Sequence, residues 1–525
     1  MLLFRNYSFI TACLIVIHFT IFLFLGLFRH WGYLTSINDL GAFDQAVWGV
    51  LHYGQLVNTT QLNEQINWLS FHFHPILYFF VPLYYLFSSP WWFILAQPLA
   101  LSLAAWPIFL ISRHLFQSKQ TGLIWVIIFL VNPFLINAAA WDFHPIALAV
   151  PFVALGFLGF IRQKFIMLLP SCLFILTCHE HLGVMVIGFG ILWWIKTRQW
   201  IPGTALVFLG AVHFYLVMQV IMPAFSPTGQ HVMVSEGLGQ LSRYAWLGES
   251  FSEIIWTMIT QPFFVLETAM INMGGLLYLI YLFLPLVFFP LFSLIFLLPG
   301  AADLAANILS ANPMPKSPIS YHSVTLIPIL TVAAMYGVRN AALWVTRFSA
   351  KEFSIIILIA SVLMGYFLAP LPMPGAKNEW APASFVSLPD PRVQEIQSLI
   401  GNDTSISAQA NVGPHFSQRK EIYRYPNRID QSDAIILWLE SPTKNIHNYP
   451  DEYKEVRNDI IGMLDNHLQM DREDYLASVE HLLLNEEFGV VYWDEPWLVL
   501  KRNLNGKDVA DDVMARLKEL REQWL

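Results

Sequence analysis

Apolar runs of near-membrane length follow one another along the first 370 residues. A helix needs about 17–25 residues to cross the hydrocarbon core. The candidates are 8–28, 73–88, 91–111, 121–139, 146–161, 165–180, 182–195, 201–222, 275–293, 323–338 and 353–370. A further run, 291–309, is interrupted by Pro299-Gly300 and reads as a twelfth crossing or a re-entrant pair. The pattern predicts an α-helical polytopic membrane protein of about 11–13 membrane segments. Between the first two runs, Phe43, Val47, Val50 and Leu51 recur at helical spacing. This predicts a helix over 41–52 lying along the interface, with Trp48 as its anchor. Residues 223–250, rich in Gly, Ser and Pro, read as a loop.

After position 370 the pattern changes. Residues 371–391 are proline-rich and read as a stiff linker. Beyond it, 393–400, 453–464 and 472–485 read as helices, 405–409 and 434–439 as strands, and 488–502 as a hairpin turning at 494–496. The expected layout is a membrane domain over 1–370, with 29–71 as its first outside loop, then the linker and a soluble α/β domain over 392–525.

Composition agrees. Of 525 residues, 56% are hydrophobic and only 13% charged, with a mean hydropathy of +0.52. Charge is uneven: residues 1–375 hold 13 Lys and Arg against 11 Asp and Glu, and residues 376–525 hold 16 against 26. An acidic tail without a basic patch argues against nucleic acid as a partner. Cys13, Cys172 and Cys178 lie in apolar runs without metal spacing. One Arg precedes the first run, with no small-residue cleavage site after it, which reads as a retained signal anchor. Arg5, Arg113, Lys119, Arg162, Lys164, Lys196, Arg198, Arg339, Arg347 and Lys351 fall in connectors that can all be cytoplasmic. That assignment puts the N-terminus inside and 139–145, 179–183, 223–250, 311–322 and the tail outside. Three apolar runs between His74 and Asp142 conflict with it unless one, such as 73–88, does not fully cross.

Four polar stretches break the apolar pattern at membrane edges. They are Asn38–Gln45, His72-Phe73-His74-Pro75, Asp142-Phe143-His144-Pro145 and His179-Glu180-His181. A charge at membrane depth costs about 2.5–3.5 kcal/mol even on insertion scales, so these acids are either solvated in loops or kept for chemistry. The expectation is that the four stretches meet at one extracytoplasmic site. His72, His74, His144 and His181, with Asp142 and Glu180, offer N and O donors for a divalent cation of unspecified identity. The same groups could clamp a phosphate directly, or be ordinary interfacial residues. Tyr321, His322 and Arg243 are candidates to contact a phosphate.

These motifs, in this order, resemble the DUF2079 family of bacterial membrane proteins. The resemblance rests on Asp39-Leu40-Gly41 with Phe43-Asp44-Gln45, on His72–Pro75, Asp142–Pro145, the charged 179–181 stretch and Tyr321-His322. In the tail it rests on Ser407-Ala408-Gln409, Pro414-His415-Phe416, Arg419, Tyr423 and Pro426. The family is similar in layout to GT-C glycosyltransferases. That layout implies a polyprenyl-phosphate-sugar donor, a bilayer setting, and an acceptor (glycan, lipid or protein) outside the cytoplasmic membrane. It also implies an acid in the first outside loop, where Asp39 and Asp44 sit. On this reading Asp39 is the base and Asp44 a second carboxylate, with Asp142 and Glu180 as further catalytic candidates. The rival readings are a transporter or lipid flippase with a His- and acid-lined pathway, and an anchored envelope protein without activity.

Overall fold

The computed structural model describes residues 6–230, 232, 240–371, 373–374, 386–441, 454–504 and 509–525. Most of the expected linker, 371–391, lies outside the described residues. The chain divides into two compact units. The first comprises Met1–Gly26, Leu69–Ile76 and Phe93–Trp380, and the second Leu27–Trp68, Leu77–Trp92 and Ala381–Leu525. Where the linear reading keeps 29–71 with the membrane helices, most of that segment packs with the C-terminal residues.

Among the described residues, six helices are long and apolar enough to cross a membrane: Tyr7–Trp31, Trp91–Phe116, Trp200–Phe225, Phe289–Leu309, Leu326–Trp344 and Ala350–Phe367. Two bent pairs add up to two more spans, and five shorter apolar helices of 10–17 residues complete the set. The run 121–139 is one bent pair, Lys119–Leu130 and Pro133–Ala140, turned by 53°. The Asn132 side chain accepts from the Phe134 amide at 3.1 Å, and Pro133 has no amide to extend the first helix. The other pair, Ser252–Thr260 and Pro262–Asn272, turns by 99° and falls where no crossing was expected. Pro262, Glu253 and Glu267 interrupt its apolar pattern. Phe289–Leu309 is irregular at Ser293, with φ −152° and ψ 45°, and changes from a 3-10 to an α-helix after Pro299-Gly300, where Gly300 has φ −99° and ψ 3°.

Glycines set the helix spacing in the first unit. A Cβ on Gly190 would stand 2.7 Å from the Gly203 carbonyl oxygen, and one on Gly183 2.8 Å from that of Gly210. Helices Leu182–Thr197 and Trp200–Leu216 therefore pack backbone to backbone at two levels, as small residues allow in membranes. The run expected over 165–180 is helical only over Phe165–Ile175. Residues 176–181 are left as a connector that carries the His-Glu-His stretch.

In the second unit, β1 (Val57–Asn58) pairs antiparallel with β2 (Ile66–Asn67). A five-stranded sheet follows from β3 (Ile406–Ala408), β4 (Ile422–Arg424), β5 (Ala434–Trp438), β6 (Phe488–Asp494) and β7 (Trp497–Arg502), in the order β4-β3-β5-β7-β6. β3 is parallel to β4 and β5, while β7 is antiparallel to β5 and β6. Helices Arg392–Ile400, Lys454–Leu468 and Arg472–Leu484 lie near their expected positions, and Ala510–Trp524 is an additional one. One apolar core of this sheet includes Tyr33 and Ile37 beside Ile406, Ile436 and Val499. The Ile37 amide donates to the Ala410 carbonyl at 2.9 Å.

The helix expected at an interface is corrected by this packing. It runs Ala42–Tyr53, and every residue from Ala42 to Gly49 is buried. Trp48 stacks on His52 at 4.1 Å and is not a surface anchor.

Candidate functional site

In the first unit, two connectors 108 residues apart in sequence converge. Pro75 favours an extended residue before it, and His74 occupies that place. The Ile76 amide donates to the Thr177 carbonyl at 3.0 Å, which ties the segment after His74 to connector 176–181. His72 Nδ1 lies 2.9 Å from Glu180 Oε1, and His179 Nδ1 lies 2.9 Å from Glu180 Oε2. The Phe73 amide donates to Oε2 at 3.1 Å. The His74 ring stands 5.2 Å from that of His72 and 5.0 Å from that of His179. One donor atom from each of His72, His74, His179 and Glu180 lies within 4.8 Å of the others.

The electrostatics follow from burial and pairing. Burial alone would raise the Glu180 carboxyl, but the His179 and His72 rings on its two oxygens hold it well below the usual carboxylate range. Burial lowers His74 well below its ordinary value, with the neighbouring rings of His179 and His72 adding to the effect. Burial also takes His179 down to about 4, against the opposing pull of Glu180. Burial thus disfavours protonation of His74 and His179, while Glu180 between its ring partners favours its charged form.

The remaining histidines surround this group without joining it. His181 approaches His179 Nδ1 to Nδ1 at 2.9 Å and sends Nε2 to Asp303 Oδ1 at 3.4 Å. Thr325 donates to the other Asp303 oxygen at 2.7 Å. His144 stacks on Tyr321 with ring centroids 3.4 Å apart, and Tyr321 stacks on His322 at 4.3 Å. Gln97 orders this turn: its amide nitrogen donates to the carbonyls of Ala138, Trp141 and Asp142, and its oxygen accepts from the His144 amide at 2.8 Å. The Asp142 side chain is buried. Burial lowers His322 to about 3, with His144, Arg243, His179 and His181 adding repulsion. The ring is therefore neutral at pH 7. The Arg243 carbonyl accepts from the Ala311 amide at 2.8 Å.

Of the expected donors, His72, His74 and Glu180 fall in this four-residue group together with His179, while His144 and His181 lie outside it. His179 was visible in the His-Glu-His stretch itself. Asp303 carried a signal too, as an acid inside an apolar run. Gln97 carried none, because its role depends on where helix Trp91–Leu103 meets the 142–144 turn.

Asp39 and Asp44 belong to the second unit. Asp44 is fully buried in the first turn of its helix. Tyr84 donates to Oδ1 at 2.6 Å, Gln418 to Oδ1 at 3.1 Å and Ser417 to Oδ2 at 2.6 Å. Its neighbour Gln45 donates to Thr59 Oγ1 and to the carbonyls of Arg419 and Lys420. Asp39 lies on the preceding irregular turn and is half-buried. The tail motifs that carry the family resemblance serve this framework. Buried Arg419 donates to the carbonyls of Phe416, Gly401 and Thr404. Gln409 accepts from Tyr475 and from the Trp438 amide.

Two structures of ArnT from Cupriavidus metallidurans are similar to this chain. One is bound to undecaprenyl phosphate and is 12% identical; the other is in the apo state and is 11% identical. Each gives a TM-score of 0.48 and covers 93% of this chain and 97% of its own. No curated protein sequence matches the chain. The family described as "Predicted membrane protein (DUF2079)" matches residues 29–492, most of the length. With that match over the same histidine and acid motifs, the chain belongs to the DUF2079 family of predicted membrane proteins.

Proposed function

We propose that this protein is a membrane glycosyltransferase that moves a sugar from a polyprenyl-phosphate carrier to an acceptor outside the cytoplasm. The observation that carries the reading is where the polar motifs of the first unit stand on its helices. Segment 145–161 starts after His144 and ends at Arg162. Helix Leu182–Thr197 starts after His181 and ends among Lys196 and Arg198. Helix Leu326–Trp344 follows Tyr321-His322 and leads to Arg347. In each case the chemistry is at one end and the basic residues at the other. The positive-inside rule makes the basic ends cytoplasmic and the motif ends external. A transport path would instead distribute ionisable groups through the helices. Asp303, inside Phe289–Leu309, with His18 inside Tyr7–Trp31 and His213 inside Trp200–Phe225, favours such a path.

In the transfer, an acceptor oxygen attacks the anomeric carbon, the bond from that carbon to the phosphate oxygen breaks, and the acceptor proton passes to a base. Both oxygens of Asp44 are occupied by three donors, which suits a structural carboxylate. Asp39 is the base in this reading.

The test is release of free undecaprenyl phosphate from undecaprenyl-phosphate-linked sugars by the purified protein in nanodiscs, with cell-envelope extract added to supply the acceptor hydroxyl. Asp39→Asn is expected to cut release by about 100-fold or more with an unchanged melting temperature. Full activity in that variant overturns the base assignment. No release by the wild type, with flux across proteoliposomes instead, overturns the transferase reading in favour of transport.

A further inference from the structure

We propose that His72, His74, His179 and Glu180 form a binding site for one divalent cation of the zinc class. The inference stands on the geometry of these four side chains and does not depend on glycosyl transfer. Four donors from two connectors lie within 4.8 Å of one another. Ligands of a tetrahedral zinc ion, at about 2.0–2.2 Å from the metal, are about 3.3–3.6 Å apart. Side-chain adjustments of about 1 Å close the group on an ion.

The donor set selects the metal. Three imidazoles and one carboxylate are borderline ligands, suited to zinc and its first-row neighbours, whereas magnesium and calcium take mainly oxygen. The same set disfavours a bare phosphate. It contains a carboxylate and neither Lys nor Arg, so an anion placed at its centre meets negative charge without a fixed cation to offset it.

The surroundings are those of a supported metal site. Phe73 fixes one Glu180 oxygen through its amide. His181 stands between His179 and Asp303, and Thr325 holds the far oxygen of Asp303. A carboxylate–histidine chain of this kind orients a ligating ring and raises its basicity. An ion here would also join chain segments 108 residues apart, at the motif ends of the membrane helices.

The test uses the purified full-length protein in nanodiscs, stripped with chelator and titrated with zinc or magnesium. Metal content is read by mass spectrometry, and cobalt loading by visible absorption. The expected result is about one zinc per chain, no comparable magnesium binding, and a four-coordinate cobalt spectrum. The double variant His74→Ala/His179→Ala is expected to weaken zinc binding by about 100-fold or more. His52→Ala, in the second unit and outside the four, should leave it unchanged. X-ray absorption on zinc-loaded wild type avoids any folding defect of the variants and should report three imidazole ligands. Fewer than two imidazoles, zinc retained by a folded double variant, or magnesium bound as well as zinc overturns the site. Zinc bound as expected without undecaprenyl phosphate release overturns the proposed function and leaves the metal site standing.

Discussion

Asp39 and Asp44 stand five residues apart and occupy different chemical settings. Burial raises Asp44 from 3.8 to about 6, even though Ser417, Tyr84 and Gln418 each favour its charged form. The folded state thus prefers the neutral carboxyl more than the unfolded chain does. That contribution to stability is complete below about pH 4 and is lost as pH rises through about 6, a difference of about 3 kcal/mol. Asp44→Asn should remove this dependence. Melting curves of the wild type are expected to fall relative to the variant between about pH 4 and 7, and parallel curves would contradict the assignment. The residue types of the candidate site were legible in sequence, since several histidines and acids together interrupt apolar runs at membrane edges. Their grouping was not. His179 and His181 are two positions apart, yet one faces Glu180 and the other Asp303, a choice made by the fold of a connector that has no periodicity to read.

Helices were legible by length and hydropathy; their breaks less so. Asn132-Pro133 turns a chain that reads as one apolar run, because hydropathy averages over a kink while backbone hydrogen bonding does not. The Phe251–Asn272 region was missed for the opposite reason: Pro262 and two glutamates lower its apolar signal, although it is helical on both sides of the bend. The contact between Leu182–Thr197 and Trp200–Leu216 is set by glycines that hydropathy ignores. Gly190→Val is expected to destabilise by about 1–3 kcal/mol, since the added atoms meet the Gly203 carbonyl. Thermal unfolding in detergent measures it. Val at Gly462, where no atom lies within 4 Å of an added Cβ, serves as control.

For the molecule as a whole, a linear division into membrane half and soluble tail was legible from charge, and the larger share of strands and helices in the tail from pattern. The crossing of chain ends was not, because nothing local in 29–68 announces a partner beyond residue 400. Yet Thr59 donates to the Ile422 carbonyl at 2.6 Å, and Ile37 is fully buried in the core of the C-terminal sheet. Ile37→Ala should therefore cost about 2–5 kcal/mol in the second unit. Hydrogen exchange is expected to quicken in β3 and β5, and exchange unchanged there would refute the shared core.

This long-range pairing has a consequence for synthesis. Thr59 and Ile422 are 363 residues apart in the chain. At about 5–20 residues per second, the ribosome makes the second about 20–70 s after the first. For that interval the nascent 27–68 segment, with Ile37 and the buried face of its helix, has no sheet to fold against. A polypeptide that stops early leaves this surface uncovered, so an incomplete product carries its own signal for holding or degradation.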